Sequence, residues 1–280
     1  MHIQRNAFNA IPGGDLAELN DRELASILAA NIIARDVRFI SEVDSTNIYA
    51  TDLALQGSSD GTVVLADCQL KGKGRLSRVW QSPPGKNLYT SIILRPAIAP
   101  LFAPQLTLTA GVAVAESLSL YCPGTVTLKW PNDIQIKNKK VCGILTEMRH
   151  TGSVLDFVIV GIGININIKN SELDESFRNK STSLFDEVGT YVSRTEVAAR
   201  LYETLDRWYA TYLRDGFTPV RDAWLTYSGI VDKIIQVNNR NETVIGTVIG
   251  LDDYGALLIF DEQENKKKIL AGDVIIIGDK

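Results

Sequence analysis

Two segments of this 280-residue chain combine cationic side chains with glycine, proline and aromatic residues at close spacing. The first, the basic loop at residues 69–80, reads Gln-Leu-Lys-Gly-Lys-Gly-Arg-Leu-Ser-Arg-Val-Trp. Its two glycines let the backbone approach a ligand closely, and its cations Lys73, Arg75 and Arg78 suit phosphate or carboxylate. Trp80 offers a face on which a base could stack. A solvated basic loop is the competing interpretation, and the segment lacks the Gly-Lys-Ser/Thr of a P-loop.

The second segment is Lys129-Trp130-Pro131-Asn132-Asp133, at the end of a strand predicted over residues 126–130. A lysine at the end of an apolar strand points into a cleft or out to solvent. Proline holds the turn by fixing φ, and the amide and carboxylate that follow supply hydrogen-bonding groups. A plain strand-turn-strand connection with an aromatic plug has the same features, so the residue types alone leave both interpretations open.

Three weaker signals accompany these segments. Residues 140–147 form a predicted strand whose Gly143 suggests close backbone approach, although an edge hairpin with a surface lysine explains it too. Residues 161–167 place Gly161 and Gly163 inside a buried strand, where either a ligand or tight packing lies against them. Residues 45–47, Ser-Thr-Asn, are typical of a helix N-cap.

The elements that must position these residues alternate between strands and helices. Strands are predicted at residues 37–41, 62–67, 88–94, 126–130, 134–137, 140–147 and 154–164, with a hairpin turn at Asn138-Lys139. Helices are predicted after the capping box at residues 20–23, from residue 44 to Gly57, over residues 104–120, and after the capping box at residues 193–196. Past residue 229 only short strands follow, at residues 234–237, 243–249, 256–260 and 269–277. The sequence therefore predicts an α+β fold, a mixed sheet with helices, followed by a small SH3-like β-barrel.

Composition restricts the class of protein. A formal net charge of −4, 45% hydrophobic and 22% charged residues are ordinary for a globular protein and argue against a dedicated nucleic-acid binder. Apolar runs far shorter than the ~20 residues of a membrane span predict no membrane association, and no secretory signal is visible. Three widely spaced cysteines predict reduced thiols in a cytoplasmic protein.

Taken together and in this order, the motifs resemble those of the biotin–protein ligases across roughly residues 38–280. The matching motifs are residues 45–47, the basic loop, residues 129–133, residues 140–147 and residues 161–165. The capping box at residues 20–23 and the apolar spacing after it predict an N-terminal helical segment (1–37). The resemblance implies a catalytic domain related to class II aminoacyl-tRNA synthetases (38–229) and an SH3-like domain (230–280). Family members that repress transcription carry an N-terminal DNA-binding domain. We expect a short form without one, because about 38 residues precede the first strand and helix-turn-helix modules need at least two helices.

The resemblance implies that ATP and biotin form biotinyl-5′-adenylate, which then passes to a lysine of a biotin carboxyl carrier domain of acetyl-CoA carboxylase or another biotin-dependent carboxylase. Lys129 and Arg75 are the implied catalytic residues. The implied biotin-binding residues are Ser45, Thr46, Asn47, Gln69, Gly72, Lys73, Gly74, Arg75 and Lys129. The implied nucleotide-binding residues are Arg78, Trp80, Asn132, Lys140 and Asn165. Mg²⁺ is expected with the triphosphate, with Asp133 as a candidate ligand.

Two departures from the family pattern and two competing functions remain at this point. Lys73 stands where the family has an arginine, which removes a bidentate fork, and Ser77 stands where it has a glycine.

A lipoate or octanoate ligase of the same fold, or a non-enzymatic biotin or nucleotide sensor, would share parts of the pattern. A homodimer formed through a sheet edge is compatible with the resemblance, and no residue in the sequence decides it.

Overall fold

The computed structural model describes residues 19, 24, 32–238 and 243–279. The predicted N-terminal helix therefore lies outside the described residues, apart from Leu24 and Ile32. The described helices are α1 (Thr46–Leu55), α2 (Ala103–Ser119), α3 (Glu175–Arg178), α4 (Leu184–Val188), α5 (Arg194–Asp215) and α6 (Thr218–Tyr227). The first seven strands are β1 (Val37–Val43), β2 (Val63–Gln69), β3 (Leu88–Leu94), β4 (Val126–Lys129), β5 (Asp133–Ile136), β6 (Lys139–Thr151) and β7 (Val154–Ile164).

These seven strands form one mixed sheet in the order β1-β2-β3-β7-β6-β5-β4. β1 pairs with β2 in parallel, and every other neighbouring pair is antiparallel. The hairpin between β5 and β6 turns one residue earlier than predicted, because positive φ falls at Lys137 and Asn138 and β6 already begins at Lys139. The predicted mixed sheet with helices is confirmed.

The two faces of β7 have different neighbours because successive side chains of a strand point to opposite sides. Val158, Val160 and Ile162 join the large core on the side of α2 and α5. Ile159 joins a smaller apolar cluster on the side of α1. Gly161 follows Ile159 on that second face, where α1 covers only part of the sheet, and the remainder is free to line a site.

Helix α2 is the central helix of the large core. The stretch Pro100–Ser119 is long and apolar enough to cross a membrane by length and composition alone, and 72% of its most apolar window is buried inside the protein. Helix α5 crosses this core helix and begins as predicted, with the Ser193 hydroxyl accepting a bond from the Glu196 backbone N–H at 3.2 Å. Helix α6 was not predicted, although Thr218-Pro219 and the buried pair Val220 and Trp224 are typical of a short amphipathic helix.

A second sheet of five antiparallel strands follows, and it is the sheet of the SH3-like barrel. Its strands are β8 (Lys233–Asn238), β9 (Thr243–Leu251), β10 (Leu257–Phe260), β11 (Lys266–Ile269) and β12 (Asp273–Asp279), in the order β11-β10-β9-β8-β12. The single strand predicted over residues 269–277 is wrong, because Gly272 has a φ of 152° and separates β11 from β12. The lysine-rich strand β11 forms one edge of this sheet. The domain limits at residues 37 and 229 stay predictions.

Candidate active site

A cavity of about 940 Å³ lies where the α1 face of the first sheet meets the basic loop and strand β12. This volume is within the range of small-molecule and cofactor sites. Fourteen of the fifteen residues predicted for the site line it: Ser45, Thr46, Asn47, Gln69, Lys73, Gly74, Arg75, Arg78, Trp80, Lys129, Asn132, Asp133, Lys140 and Asn165. The structure thus brings residues from five separate motifs to one cavity, while their individual roles stay predictions.

The predicted ligand-binding residue that does not line the cavity is Gly72. A Cβ at this position would lie 2.3 Å from the Trp80 carbonyl oxygen and 2.7 Å from the Ser82 hydroxyl. The Gly72 carbonyl also accepts the Trp80 backbone N–H at 2.9 Å. Gly72 therefore allows the two arms of the basic loop to pack against each other, and its contribution to the site is made through that loop.

One end of the cavity is a buried polar network around the start of α1. Ser45, Thr46 and Asn47 are each less than 5% exposed. The Gln69 Oε1 accepts bonds from the Thr46 backbone N–H at 2.9 Å and from its hydroxyl at 3.1 Å. The Ser45 hydroxyl makes no capping bond to α1. It is consequently available to a ligand, which favours the binding interpretation of residues 45–47 over a plain helix cap.

Asn47 is fixed within this network on several sides. Its Oδ1 accepts the Ser91 hydroxyl at 2.6 Å, and its Nδ2 donates to Glu147 Oε2 at 2.7 Å. Gly161 lies directly beneath it, at a position where a Cβ would come within 2.0 Å of that Oδ1. Position 161 of β7 therefore requires glycine, because any larger side chain would collide with the Asn47 side chain.

The indole of Trp80 lies on the paired glycines of β6 and β7. Gly143 and Gly163 face each other across the two strands, and a Cβ on Gly163 would lie 2.5 Å from Trp80 Nε1. The Lys140 Nζ lies 5.4 Å from the centroid of the same ring. Trp80 therefore explains the close approaches that the sequence predicts at Gly143 and Gly163. Its side chain forms part of the cavity wall.

Several cationic side chains line the cavity. Arg75 donates to the Asn132 Oδ1 at 3.1 Å, which ties the basic loop to residues 129–133. Lys140 pairs with Asp133 at 2.6 Å, and Arg78 pairs with Asp273 of β12. Burial lowers the pKa of the Lys129 ammonium, and the nearby Asp133 carboxylate opposes that shift. A partly buried lysine without an ion pair in the described part of the chain is suited to an anionic ligand.

Sequence reasoning missed two walls of the cavity. One is the segment around α3, represented by Leu173, Phe177 and Lys180, and the other is the start of β12 with Asp273. The Lys180 carbonyl accepts the Lys140 backbone N–H at 2.8 Å, so this segment is held beside the start of β6. Neither wall has a motif of its own. The single sequence feature that could have indicated the second wall is an aspartate, Asp273, directly after Gly272.

The carboxylates of the cavity bear on the expected magnesium ion. The described residues contain no cluster of three or more His, Cys, Asp or Glu side chains placed to hold a metal. The cavity's carboxylates, Asp133 and Asp273, are each paired with a cation. A magnesium ion that enters with ATP is bound mainly by phosphate oxygens and water, and Asp133 as its ligand stays a prediction.

Ser77, where the family pattern has glycine, adopts the left-handed region with a φ of 60°. Replacement by glycine removes roughly 1–2 kcal/mol of local strain and adds about 0.5–1 kcal/mol of chain entropy cost. We expect Ser77→Gly to increase hydrogen-exchange protection of the Gly74 and Trp80 amides, whose bonds close the loop. Ser77→Ala keeps the strain and is the control, so equal protection in both variants would contradict this account.

Comparisons with known proteins agree with the fold and the site. Residues 39–165 match the biotin/lipoate A/B protein ligase family, and residues 231–276 match the biotin protein ligase C-terminal domain. The bifunctional ligase/repressor BirA of Bacillus subtilis is 35% identical over 97% of this chain and 83% of its own length. The biotin--[acetyl-CoA-carboxylase] ligase of Paracoccus denitrificans is 34% identical over 79% of this chain and 92% of its own.

Among solved structures, the biotin protein ligase of Aquifex aeolicus in complex with biotin and ATP superposes with a TM-score of 0.74. It is 29% identical, and the match covers 88% of this chain and 100% of that one. The mixed sheet and the small barrel that follows it are therefore those of a protein ligase of the biotin/lipoate class, as the matches over both parts of the chain show. Within that class, the chain belongs to the biotin protein ligase family. The absence of a nucleic-acid partner and the homodimer stay predictions.

Proposed function

We propose that this protein activates biotin with ATP to biotinyl-5′-adenylate and transfers the biotinyl group to a lysine of a biotin carboxyl carrier domain. The observation that carries the proposal is that Lys129 and Arg75 line one cavity together with Trp80 and the buried polar residues 45–47. Support comes from the solved relative that binds biotin and ATP and from the relative whose name gives acetyl-CoA carboxylase as its substrate.

The first half-reaction brings a carboxylate to the α-phosphorus of ATP. Both reactants are anions, so fixed positive charge where they meet is the main requirement. Lys129 contacts the biotin carboxylate and then the bridging oxygen of the mixed anhydride. Arg75 holds the carboxylate and the phosphate in line, from a position fixed by its bond to Asn132. One oxygen of the biotin carboxylate attacks the α-phosphorus and forms a new phosphorus–oxygen bond. The bond from the α-phosphorus to the oxygen that bridges to the β-phosphorus breaks, and pyrophosphate leaves with the electron pair.

The rest of the cavity binds the two ends of the intermediate. Ser45, Thr46, Asn47 and Gln69 surround the ureido group of biotin, which both donates and accepts hydrogen bonds. Trp80 covers the nucleotide, with Lys140 and Asn165 beside it. The basic loop closes over the anhydride and excludes water, and Arg78 ties it to Asp273 of the second sheet.

Biotin-dependent exchange of labelled pyrophosphate into ATP tests the proposal directly. Lipoate and octanoate serve as parallel acids. Exchange with biotin alone is the expected result. Exchange with lipoate or octanoate would instead assign the protein to a related acyl ligase. Folded protein that exchanges with none of the acids, with Mg²⁺ present, would be a sensor and not a ligase.

Arg75→Gly is expected to leave adenylate formation partly intact while releasing the intermediate. The substitution removes the hydrogen bond that joins the basic loop to Asn132, so the loop no longer closes the cavity. Free adenylate acylates any accessible amine, so labelling of added bystander protein should rise. Leu76→Gly is a matched control, because it adds a glycine at an exposed loop position whose φ is already 56°. If Arg75→Gly labels bystander protein no more than the wild type does, the basic loop does not act as a lid that retains the adenylate.

A further inference from the structure

Glu147 of strand β6 does not line the active-site cavity, yet it is bonded to a residue that does. Its side chain is exposed to solvent, and its Oε2 accepts a hydrogen bond from Asn47 Nδ2 at 2.7 Å. Glu147 pairs across the sheet with Ile159, which packs on the side of α1, so both side chains point to that face. A surface carboxylate therefore reaches the polar end of the cavity through one amide.

The surroundings of the Asn47 amide determine its orientation. Its Nδ2 faces the Glu147 carboxylate at 2.7 Å and the Leu145 carbonyl at 3.2 Å, and both of these groups only accept hydrogen bonds. The two amide hydrogens are therefore both used within the protein. On the other side, the Asn47 Oδ1 faces the Ser91 hydroxyl at 2.6 Å. Asn47 thus acts on the pocket through Ser91, and not by donating a hydrogen to a ligand.

Ser91 has one hydroxyl hydrogen and two acceptors for it. Its side chain is fully buried, with the Asn47 Oδ1 at 2.6 Å and the Thr46 Oγ1 at 2.8 Å. An amide oxygen that faces Ser91 takes the hydrogen, because two oxygens this close repel each other without a hydrogen between them. Thr46 then receives no hydrogen from Ser91 and donates its own to the Gln69 Oε1 at 3.1 Å. The Thr46 oxygen keeps a lone pair for a donor on the ligand.

We propose that Glu147 is a positioning residue that sets the direction of the hydrogen bonds in the biotin pocket, so that Thr46 presents an acceptor to a ureido N–H. The inference rests on the proposed function, because the ureido group carries two N–H donors that need acceptors when they are buried. A flipped Asn47 amide would turn its Nδ2 towards the Ser91 oxygen. Ser91 would then donate to Thr46, and the ligand would lose that acceptor.

The carboxylate is the stronger of the two groups that hold the amide. Hydrogen bonds to an ionised acceptor are about twice as strong as neutral ones. The bond to Glu147 is also the shorter one, at 2.7 Å against 3.2 Å for the Leu145 carbonyl. Because solvent screens an exposed carboxylate, the same bond contributes little to the stability of the fold. Loss of Glu147 should consequently affect biotin and leave the fold intact.

The test compares three single variants by calorimetric titration with biotin and with ATP, and by pyrophosphate exchange. Glu147→Leu removes the acceptor, whereas Glu147→Gln keeps a side-chain oxygen that can accept the Asn47 bond. Glu42→Leu is the control, because Glu42 is likewise an exposed glutamate on a strand and does not line the cavity. Both positions are exposed, so all three proteins should fold.

We expect Glu147→Leu to raise the dissociation constant for biotin about tenfold, the usual cost of losing a hydrogen bond to a charged group. ATP affinity and the exchange rate at saturating biotin should match the wild type, and Glu147→Gln should bind biotin more tightly than Glu147→Leu. Wild-type biotin affinity in Glu147→Leu would overturn the proposal. Equal losses in the leucine and glutamine variants, in Glu42→Leu, or for ATP as well as biotin would overturn it too.

A double-mutant cycle with Thr46 tests the route from Glu147 to the ligand. Thr46→Val removes the hydroxyl with little change of shape. If Glu147 acts through the Thr46 oxygen, adding Glu147→Leu to Thr46→Val should cost little more biotin affinity, since the acceptor is already gone. Losses that multiply would mean that the two residues act independently, which would overturn the route. Failure of the wild type to exchange pyrophosphate with biotin would instead refute the proposed function itself.

Discussion

Lys129→Met is expected to lower the rate of biotinyl-adenylate formation by about 100- to 1,000-fold, the usual cost of removing one electrostatic stabiliser from a transition state. Lys140 and Arg78 are each paired with an aspartate, whereas Lys129 forms no such pair with the residues that the structure describes. Its charge is therefore not neutralised before the ligands arrive. Methionine has a similar length and shape, so the cavity keeps its form while the charge is lost.

Pyrophosphate exchange at saturating biotin and ATP measures this effect as a fall in kcat. Lys71→Met is the matched control, because Lys71 lies in the same basic loop but pairs with Asp44 at 2.8 Å and does not line the cavity. We expect Lys71→Met to exchange pyrophosphate at the wild-type rate. If the kcat of Lys129→Met falls by less than about tenfold, Lys129 does not stabilise the transition state at the reacting centre.

Gly161→Ala is expected to raise the dissociation constant for biotin by about 10- to 100-fold, equivalent to roughly 1.4–2.8 kcal/mol of binding free energy. The new Cβ would lie 2.0 Å from Asn47 Oδ1, so the Asn47 side chain has to move. Its bonds to Ser91 and Glu147 then break, and the polar network at the start of α1 loses its geometry. Isothermal titration with biotin measures the loss without requiring turnover.

Gly111→Ala is a control for adding one methyl group to a buried glycine. Its Cβ would meet Leu128 at 3.5 Å, an ordinary contact, and alanine is favoured over glycine inside helix α2 by about 1 kcal/mol. We expect this variant to bind biotin normally and to melt at the same or a higher temperature. Equal losses of biotin binding in both variants would mean that general packing, and not Asn47, sets the affinity.

The sequence predicted the first sheet and most of the cavity because the chemistry-bearing residues occur in short motifs attached to strands of clear periodicity. The glycines of β6 and β7 are the best example. Their unfavourable placement inside strands indicated a close neighbour, and the structure identifies Trp80 over Gly163 and Asn47 over Gly161. Local patterns therefore carried information on contacts between residues more than 80 positions apart.

The sequence could not predict the walls that depend on tertiary contacts alone. The segment around Phe177 has neither strong periodicity nor a motif, and its place is set by backbone bonds to the start of β6. Asp273 reaches the basic loop only because β12 pairs with β8 and lies at the edge of the second sheet. The position of Asp273 at the start of a separate strand was not predicted. The apolar residues on both sides of Gly272 led to one predicted strand over residues 269–277, although the chain turns at Gly272.

Strand β11 has a consequence for the behaviour of the protein at high concentration. An edge strand exposes unpaired backbone groups on which a strand of another molecule could add. In β11 that edge carries Lys266, Lys267 and Lys268 in succession, all exposed. Lys267 pairs with Asp261 and Lys268 pairs with Asp252, so Lys266 keeps an unpaired charge among the described residues. Two molecules approaching edge to edge would bring their Lys266 ammonium groups together and desolvate the paired lysines, and both effects oppose the contact. We therefore expect the lysine-rich edge to disfavour edge-to-edge association of the small barrel.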